Sequence, residues 1–360
     1  MERTPTRWWH TDPDRAGGVV CTLCPRLCHI GAGQRGFCYV RENVEGALEL
    51  TTYGRSSGFC IDPIEKKPLA HYLPGSSILS LGTAGCNLGC RFCQNWNISK
   101  SREDDALAAI ATPEAIAQAA LDHGCRSIAF TYNDPVIWAE YAIDIARAAR
   151  PLGLATVAVT AGYISPEPRR EFYAHMDATN VDLKAFTEEF YRKTTLSHIE
   201  PVLDTLRYLV HETKVWTEIT TLVIPGHNDD PAELRELARW VYRDLNADVP
   251  LHFSAFHPDF KMRDVPHTPH ATLVRARDIA MSEGLRYVYI GNVHDPDRES
   301  TRCPGCGTTV IARDRYEITA YRLRDGCCTA CGARIPGRFD DVPGSWGRRR
   351  QPIRIGGGER

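Results

Sequence analysis

Three cysteines in one short loop constrain this chain more than any other feature of its sequence. Cys86, Cys90 and Cys93 follow a Cys-x3-Cys-x2-Cys spacing in a segment that also contains Gly85 and Gly89. Iron–sulfur clusters are usually held by four thiolates, so three closely spaced thiolates leave one iron of a cubane without a protein ligand. An open metal position can bind a substrate or cofactor, as in catalytic zinc sites. The glycines oppose the alternative, in which the cysteines form one apolar face of a helix.

This loop resembles the signature of radical S-adenosylmethionine (SAM) enzymes, with aromatic Phe92 just before the last cysteine. The resemblance implies a [4Fe-4S] cluster on Cys86, Cys90 and Cys93, whose open iron chelates the amino and carboxylate groups of SAM. It also implies that SAM is cleaved reductively to methionine and a 5′-deoxyadenosyl radical, which abstracts hydrogen from a substrate. The protein positions and protects such chemistry. A reductant such as flavodoxin or ferredoxin is then an expected partner.

The composition is that of an ordinary globular protein. The chain has 360 residues, of which 43% are hydrophobic and 24% are charged, and its net charge is −2. No segment approaches the roughly 18 apolar residues of a membrane span, and Met1–His10 lacks the apolar core of a secretory signal. The small net charge gives no general attraction to nucleic acid or to anionic membranes. We therefore expect a cytoplasmic protein that binds neither membrane nor nucleic acid.

Eleven of the fourteen cysteines fall into three groups. Grouped cysteines in a chain without a signal sequence indicate metal or cluster ligands rather than disulfides. The N-terminal group can complete a zinc site or a second iron–sulfur cluster, and its spacing leaves both open. The C-terminal group has two Cys-x2-Cys knuckles separated by 21 residues, which is the pattern of a zinc ribbon with a separation slightly longer than usual. These two groups are Cys21, Cys24, Cys28 and Cys38, and Cys303, Cys306, Cys328 and Cys331.

From Ser76 onward, short β-rich segments alternate with helical segments, which predicts a parallel sheet built from βαβ units. Thr112 and Asp230 each precede a proline and are predicted N-caps. The predicted strands are Ile78–Leu81, Ser127–Thr131, Ala155–Thr160, Thr179–Leu183, Val215–Ile224, Leu251–Phe256 and Tyr287–Ile290. The predicted helices are Pro113–His123, Val136–Arg150, Glu167–Ala174, Pro201–His211, Pro231–Leu245 and Ala271–Ser282.

The expected fold class is therefore α/β, a partial (β/α) barrel of radical SAM type with a Cys-rich N-terminal arm and a C-terminal zinc-ribbon-like module. We assign residues 1–75 to the arm and connector, 76–295 to the partial barrel and 296–340 to the module. Residues 341–360 are rich in arginine and glycine, and we predict a disordered basic tail there.

Polar residues follow the predicted strands at their carboxyl ends, where barrel enzymes place their active sites. Asn133 and Asp134 can accept hydrogen bonds from the ammonium of SAM, and Lys184 suits its carboxylate. Asp182 can orient Lys184 or the ribose, or the two can form a structural ion pair. The other candidate cofactor-binding residues are Phe92, Gly162, Pro225 and Asn292.

Candidate catalytic residues are fewer. Besides Lys184 and Asp182, the candidates are Glu218 and His257. Glu218 and Thr220 have the same parity on one strand, so both side chains are expected to face the barrel interior. His257 lies at a strand end. For a histidine in such a place, the role of a satisfied core residue is equally open.

Several motifs in a fixed order narrow the resemblance. They are Cys21–Cys38, Asp62–Leu69, the cysteine loop, Tyr132–Pro135, Val181–Phe186, Thr220–Gly226, Phe256–Pro258 and Gly291–Val293. Together with the terminal cysteines they are similar to the radical SAM enzyme of the AmmeMemoRadiSam system, a family related to the pyruvate formate-lyase activases, over about residues 20–337. That family is associated with Memo-type and AMMECR-type proteins, which the resemblance implies as partners, and it supplies no substrate. One departure is Ala161, where the family has Asn.

Two other functions stay open at this point. The chain can be an activase of a glycyl-radical enzyme, of the pyruvate formate-lyase activating type. It can also be a non-catalytic adaptor that binds metal and docks partners through its arm and its C-terminal module.

Overall fold

The computed structural model of the protein describes residues 4–101 and 109–355. The N-terminal arm is built from short antiparallel strands: β1 (Thr4–Pro5), β2 (Trp9–Thr11), β3 (Val19–Cys21), β4 (Cys28–Ile30), β5 (Arg41–Val44) and β6 (Ala47–Leu50). These strands form two small sheets, in the orders β1-β6-β5 and β2-β3-β4. The register of β3 and β4 sets Cys21 directly opposite Cys28. The arm's fold thus brings two of its cysteines together across one strand pair.

A nine-stranded sheet forms the centre of the molecule. After β7 (Arg55–Ser56), which pairs with β10 (Ala109–Ile110), this sheet takes up β8 (Phe59–Pro63), β9 (Ser77–Leu81), β11 (Ser127–Phe130), β12 (Ala155–Thr160), β13 (Ala178–Asp182), β14 (Trp216–Val223), β15 (Leu251–Ala255) and β16 (Val288–Gly291). Seven of these strands, β9 and then β11 to β16, are parallel and lie side by side in chain order. Their carboxyl ends therefore lie along one edge of the sheet.

Helices connect the parallel strands. Thr112 and Asp230 accept hydrogen bonds from backbone amides of the first helical turn, as N-caps do. The α-helices are α1 (Trp96–Ser99), α2 (Pro113–Asp122), α3 (Ala139–Ala149), α4 (Pro166–Tyr173), α5 (Glu188–Phe190), α6 (Glu200–Glu212), α7 (Pro231–Trp240), α8 (His270–Ser282) and α9 (Pro296–Glu299). Wider helical turns continue α5 over Tyr191–Thr195 and α7 over Val241–Leu245. In the described ranges, no helix is both long enough and apolar enough to cross a lipid bilayer.

The prediction of an α/β fold with a parallel sheet is confirmed. Each of the seven predicted parallel strands is present, with both ends within about one residue of the expected position. The six predicted helices are present too, the one expected over Val136–Arg150 beginning as a 3-10 turn at Pro135–Trp138. Both predicted N-caps form. The sheet is open, with β16 at one edge.

The prediction of a disordered tail over residues 341–360 is wrong for the part that the structure describes. Gln351–Ile353 forms β22, which pairs antiparallel with β8 and is the other edge of the central sheet. Trp346 packs on the main hydrophobic core, and Ile355 is 8% exposed. The physical reason is the unpaired edge of β8, whose backbone groups find partners in this segment. Residues 356–360 of the predicted tail lie outside the described residues.

The C-terminal module consists of α9 and two small antiparallel sheets. Its strands are β17 (Thr301–Arg302), β18 (Thr309–Asp314), β19 (Glu317–Tyr321), β20 (Leu323–Arg324) and β21 (Cys327–Cys328). Arg313 on β18 is 3% exposed and donates to the carbonyl oxygen of Ala70 at 2.6 Å. That bond ties the module to the connector between β8 and β9.

Candidate cluster and cofactor site

The cysteine loop begins where β9 ends, at the carboxyl edge of the parallel strands. Cys90 is 8% exposed, and Cys86 and Cys93 are partly exposed. The sulfur of Cys86 accepts a hydrogen bond from the amide of Leu88, and that of Cys93 lies 3.1 Å from the hydroxyl of Ser99. The three thiols are thus presented from one irregular loop and not from a helix.

Asn133 fixes the start of this loop. Its side-chain nitrogen donates to the carbonyl oxygens of Ala84 and Gly85, and its side-chain oxygen accepts from the amide of Thr83 and the indole of Trp138. The sequence indicated that Asn133 would receive the SAM ammonium. The structure instead shows a buried side chain, 5% exposed, whose oxygen is already used by the protein. Asn133 is therefore a positioning residue for the loop.

Asp134 has one carboxylate oxygen without a protein partner. Its Oδ1 accepts from the hydroxyl of Thr160 at 2.8 Å and from the amide of Val136 at 3.2 Å. Its Oδ2 is buried and has no hydrogen-bond partner among the described residues. Burial raises the pKa of this carboxyl to about 6, while the bond from Thr160 opposes the rise. A buried, unsatisfied acceptor is costly, so this oxygen is suited to a bound cation.

Burial also raises the pKa of two thiols in the loop. Cys90 reaches about 12, although the nearby charge of Lys184 works in the opposite direction, and the pKa of Cys86 rises with Asp134 adding to the effect. Thiolates are the form that binds metal. A bound metal cluster would offset the cost of ionising these buried sulfurs.

Lys184 lies between the cysteine loop and Asp182. Its ammonium is 2.6 Å from the carboxylate of Asp182 and 6.0 Å from the ring centre of Phe92. Burial works against its charge, but Asp182 and then Cys90 raise its pKa above the usual value. Lys184 therefore stays cationic at this edge of the sheet. The predicted pairing of Asp182 with Lys184 is present in the structure.

Of the remaining candidate cofactor-binding residues, Phe92 lies in the cysteine loop and the other three follow strand ends. Phe92 is 4% exposed and packs on Phe190, with ring centres 6.0 Å apart. Gly162 follows β12 with a φ of 66°, which favours glycine. Pro225 follows β14, and Asn292 follows β16, where it donates to the carbonyl of Ala255 at 3.1 Å. Each lies at the carboxyl edge of the sheet.

Glu218 does not lie with the cysteines. It is fully buried on β14, and it accepts from the backbone amides of Ala70 and His71, from the indole of Trp216 and from a ring nitrogen of His252. These bonds, chiefly that of His252, hold its pKa below the usual value against the effect of burial. Its carboxylate is occupied in holding the connector onto the sheet.

A cavity of about 420 Å³ extends from the cysteine loop toward the C-terminal module. Its wall includes Gln94 next to the loop, His257 and Asn292 at strand ends, Glu65 from the connector and Arg313 from β18. Glu65 Oε2 and Arg313 Nε are buried without hydrogen-bond partners in the described structure. Sequence reasoning missed Glu65 and Arg313. The mixed charge of the segment Asp62–Leu69 was the available signal, and nothing in the module's sequence pointed to Arg313.

The four C-terminal cysteines converge. Their sulfur atoms all lie within 4.8 Å of one another, with Cys303 and Cys331 3.5 Å apart and Cys306 and Cys328 3.8 Å apart. Tetrahedral zinc with Zn–S bonds of about 2.3 Å separates its sulfurs by about 3.8 Å. The group therefore has the spacing of a single-ion site.

Comparisons with known proteins show what this chain is similar to. The profile of the Radical SAM superfamily matches residues 80–240. An uncharacterized protein of Methanocaldococcus jannaschii is 41% identical over 319 residues, which cover 88% of this chain and 95% of that protein. The pyruvate formate-lyase-activating enzyme of Clostridium pasteurianum is 24% identical over 50% of this chain and 80% of its own. The crystal structure of a radical SAM methyltransferase from Sphaerobacter thermophilus has a TM-score of 0.49 at 17% identity, covering 80% of this chain and 76% of that one.

Proposed function

Because the chain belongs to the radical SAM superfamily, we propose that it is an enzyme that cleaves SAM and abstracts hydrogen from a substrate held in the cavity beside the cysteine loop. Cys86, Cys90 and Cys93 would hold a [4Fe-4S] cluster. When bound, that cluster supplies the electron for reductive cleavage of SAM to methionine and a 5′-deoxyadenosyl radical. The electron itself comes from a reductant, and superfamily members generally need one such as flavodoxin or ferredoxin.

The observation that carries the proposal is the free oxygen of Asp134. SAM brings an ammonium and a carboxylate, and Asp134 Oδ2 and the ammonium of Lys184 offer one opposite charge to each. Both lie near the cysteine loop, since Asn133, the neighbour of Asp134 in sequence, donates to the carbonyl oxygen of Gly85, and the ammonium of Lys184 is 6.0 Å from the ring centre of Phe92. The donor set therefore fits the cofactor.

The residues around Asp134 and Lys184 hold these two side chains and the loop in position and exclude water. Asp182 holds Lys184 in place, and Asn133 holds the backbone of the loop. Phe92, Gly162, Pro225 and Asn292 are proposed to surround the adenosine, since Gly162, Pro225 and Asn292 follow the carboxyl ends of β12, β14 and β16 and Phe92 lies in the cysteine loop at the same edge. Phe92 and Cys90 are buried, which limits the access of solvent to the Cys90 sulfur.

The cavity is proposed as the substrate site. His257 reaches its wall from a strand end and is exposed there, so it is the residue we assign to the substrate's side. Asp182 and Lys184 act on the cofactor's side. Glu218 is assigned no catalytic step, because its oxygens are committed to Ala70, His71, Trp216 and His252.

Within the superfamily, we assign the chain to the radical SAM enzymes of the AmmeMemoRadiSam system, on the order of its motifs. This assignment implies Memo-type and AMMECR-type proteins as partners. An activase of a glycyl-radical enzyme is the second candidate, favoured by the relation to the activating enzyme of Clostridium pasteurianum. An activase would require a partner with a glycyl-radical loop, which separates the two candidates.

The test is anaerobic reconstitution followed by a dithionite and SAM assay for 5′-deoxyadenosine. The purified chain should form deoxyadenosine, and the variant in which Cys86, Cys90 and Cys93 are all replaced with alanine should form none. Cys125→Ala is a matched control, because Cys125 is a buried cysteine outside the three groups. Deoxyadenosine formation by the triple variant would refute the proposal, and absence of iron and of SAM binding in the wild type would favour the metal-binding adaptor.

A further inference from the structure

The three cysteine groups differ in how closely their sulfurs lie. In residues 4–101 and 109–355, the C-terminal four are the group whose sulfurs lie within 4.8 Å of one another, and neither the N-terminal four nor the three of the loop meet that spacing. A single tetrahedral zinc draws its sulfurs to about 3.8 Å. A cubane spreads its thiolates farther apart, because each binds a different corner iron. In the spacing of its sulfurs, the N-terminal group therefore resembles the cysteine loop and not the C-terminal group, whose spacing fits a single zinc ion.

The N-terminal cysteines lie beside a buried ion pair. Cys21 and Cys24 are 6% and 9% exposed, and Cys28 and Cys38 are partly exposed. Arg41 is 1% exposed, and its charge opposes the rise that burial causes in the pKa of Cys21 and Cys38. Its guanidinium is paired with Glu140 at 2.5 and 3.1 Å. Two buried and two partly exposed thiols thus lie in one part of the arm, where they offer four sulfur ligands to a metal centre.

The arm is packed directly on the catalytic loop. Gly85, with a φ of 81°, leaves no room for a side chain, because an added Cβ would lie 2.1 Å from the carbonyl oxygen of Cys38. Arg26, two residues after Cys24, donates to the backbone carbonyl of Asn87 in the loop. The cysteines of both groups pack in one hydrophobic cluster. The two sets of thiols are thus neighbours within a single core.

We propose that Cys21, Cys24, Cys28 and Cys38 bind a second iron–sulfur cluster, a [4Fe-4S] cubane with all four irons ligated, beside the loop of the proposed catalytic cluster. The inference rests on the proposed function only for the identity of that neighbouring cluster. A fully ligated cubane has no open iron, so it binds no SAM. Its position against the loop is the one that a one-electron centre serving the loop would need.

Metal analysis after anaerobic reconstitution tests the proposal. The wild type should contain about eight irons per chain, and the alanine triple variant of Cys86, Cys90 and Cys93 should keep about four. The double variant Cys21→Ser and Cys24→Ser should also keep about four, now in the loop. The matched control, Cys303→Ser with Cys306→Ser, should leave the iron content unchanged.

Electron paramagnetic resonance distinguishes the two clusters. We call the alanine triple variant of Cys86, Cys90 and Cys93 the loop variant, and the double variant Cys21→Ser and Cys24→Ser the arm variant. In the dithionite-reduced loop variant, the remaining signal should not respond to SAM. In the reduced arm variant, the remaining signal should shift when SAM is added. The reduced wild type should show broadening from two neighbouring spins. If the alanine triple variant of Cys86, Cys90 and Cys93 held about two zincs per chain and no iron, the inference would be overturned while the proposed function stood. An arm variant whose signal ignores SAM would instead count against the proposed function.

Discussion

At the residue scale, the site depends on polar atoms that have no hydrogen-bond partner within residues 4–101 and 109–355. Asp134 uses one oxygen to hold Thr160 and leaves the other free, whereas Asn133, its neighbour in sequence, uses its whole side chain on the loop and on Trp138. Two adjacent residues therefore divide the work of positioning the loop and of binding the cofactor. The free oxygen of Asp134 gives the first prediction.

Asp134→Asn should weaken SAM binding by about tenfold to a hundredfold, because a charge-assisted hydrogen bond to an ammonium is worth about 1.5–3 kcal/mol. Thr160 can still donate to the remaining amide oxygen, so the fold should be retained. Isothermal titration calorimetry under anaerobic conditions measures the affinity. Glu189→Gln, at a surface carboxylate 73% exposed, is the control and should bind as the wild type does. Equal affinity in the Asp134 variant would remove Asp134 from the cofactor site.

Glu65 gives a prediction about stability and pH. Burial raises its pKa to about 7, with Arg313 and the amide of Gly75 opposing the rise. The folded chain therefore holds this proton more tightly than the unfolded chain, in which the pKa is about 4.5. Stability attributable to Glu65 is present below pH 4.5 and is lost as the pH rises to 7, by about 3 kcal/mol in all.

The variant Glu65→Gln should lack this loss, since its amide does not titrate. Denaturant unfolding from pH 5 to pH 8 measures the free energy of unfolding of both proteins. The wild type should lose stability relative to the variant as the pH rises, with the difference levelling off above pH 7. A difference that stays constant over this range would show that the carboxyl is ionised throughout.

At the element scale, the edge of the central sheet shows what the sequence could and could not predict. The parallel strands and their helices were predictable because alternation of strand and helix, together with the caps at Thr112 and Asp230, is a local signal. β22 was not, because a three-residue strand that contains Pro352 has no periodicity of its own and exists through pairing with β8, which is far away in sequence.

The segment directly after β22 gives a prediction about stability, since Ile355 and its neighbour Arg354 should contribute differently to the free energy of unfolding. Ile355→Ala should lower the free energy of unfolding by about 2–4 kcal/mol, because Ile355 is 8% exposed and belongs to the main core. Arg354→Ala should change it by less than about 0.5 kcal/mol, because Arg354 is exposed. Chemical denaturation of the two variants gives the comparison. Equal, small effects would mean that the segment is not held on the core.

At the scale of the whole molecule, the candidate site draws on parts that are distant in sequence. The cysteine spacing and Lys184 could be found in the sequence because the residue types themselves carry the chemistry. The loop-holding role of Asn133 could not, since its partners are chosen by the fold, and neither could the place of Arg313 in the cavity wall. Motifs predict ligands, whereas the surrounding shell depends on tertiary contacts.

The C-terminal module supplies one side of that shell, and we propose that a zinc ion on its four cysteines holds it in place. Arg313 joins β18 to the connector through Ala70. In sequence, β18 lies between the two Cys-x2-Cys knuckles of the module. Structural zinc is worth on the order of 10 kcal/mol in zinc-finger peptides, so a small module without it loses its fold. The double variant Cys328→Ser and Cys331→Ser should lose about one zinc per chain and keep its iron.

In that variant, hydrogen exchange should speed up throughout β18, while β12 in the central sheet should exchange as in the wild type. The amides of β18 lose their partners when the module unfolds, whereas β12 is paired on both sides within the sheet. Mass spectrometry of peptides from the two strands measures both rates. Unchanged protection of β18 after loss of zinc would mean that contacts such as that of Arg313 with Ala70 hold the module without the metal. The cavity wall would then be independent of the module's metal.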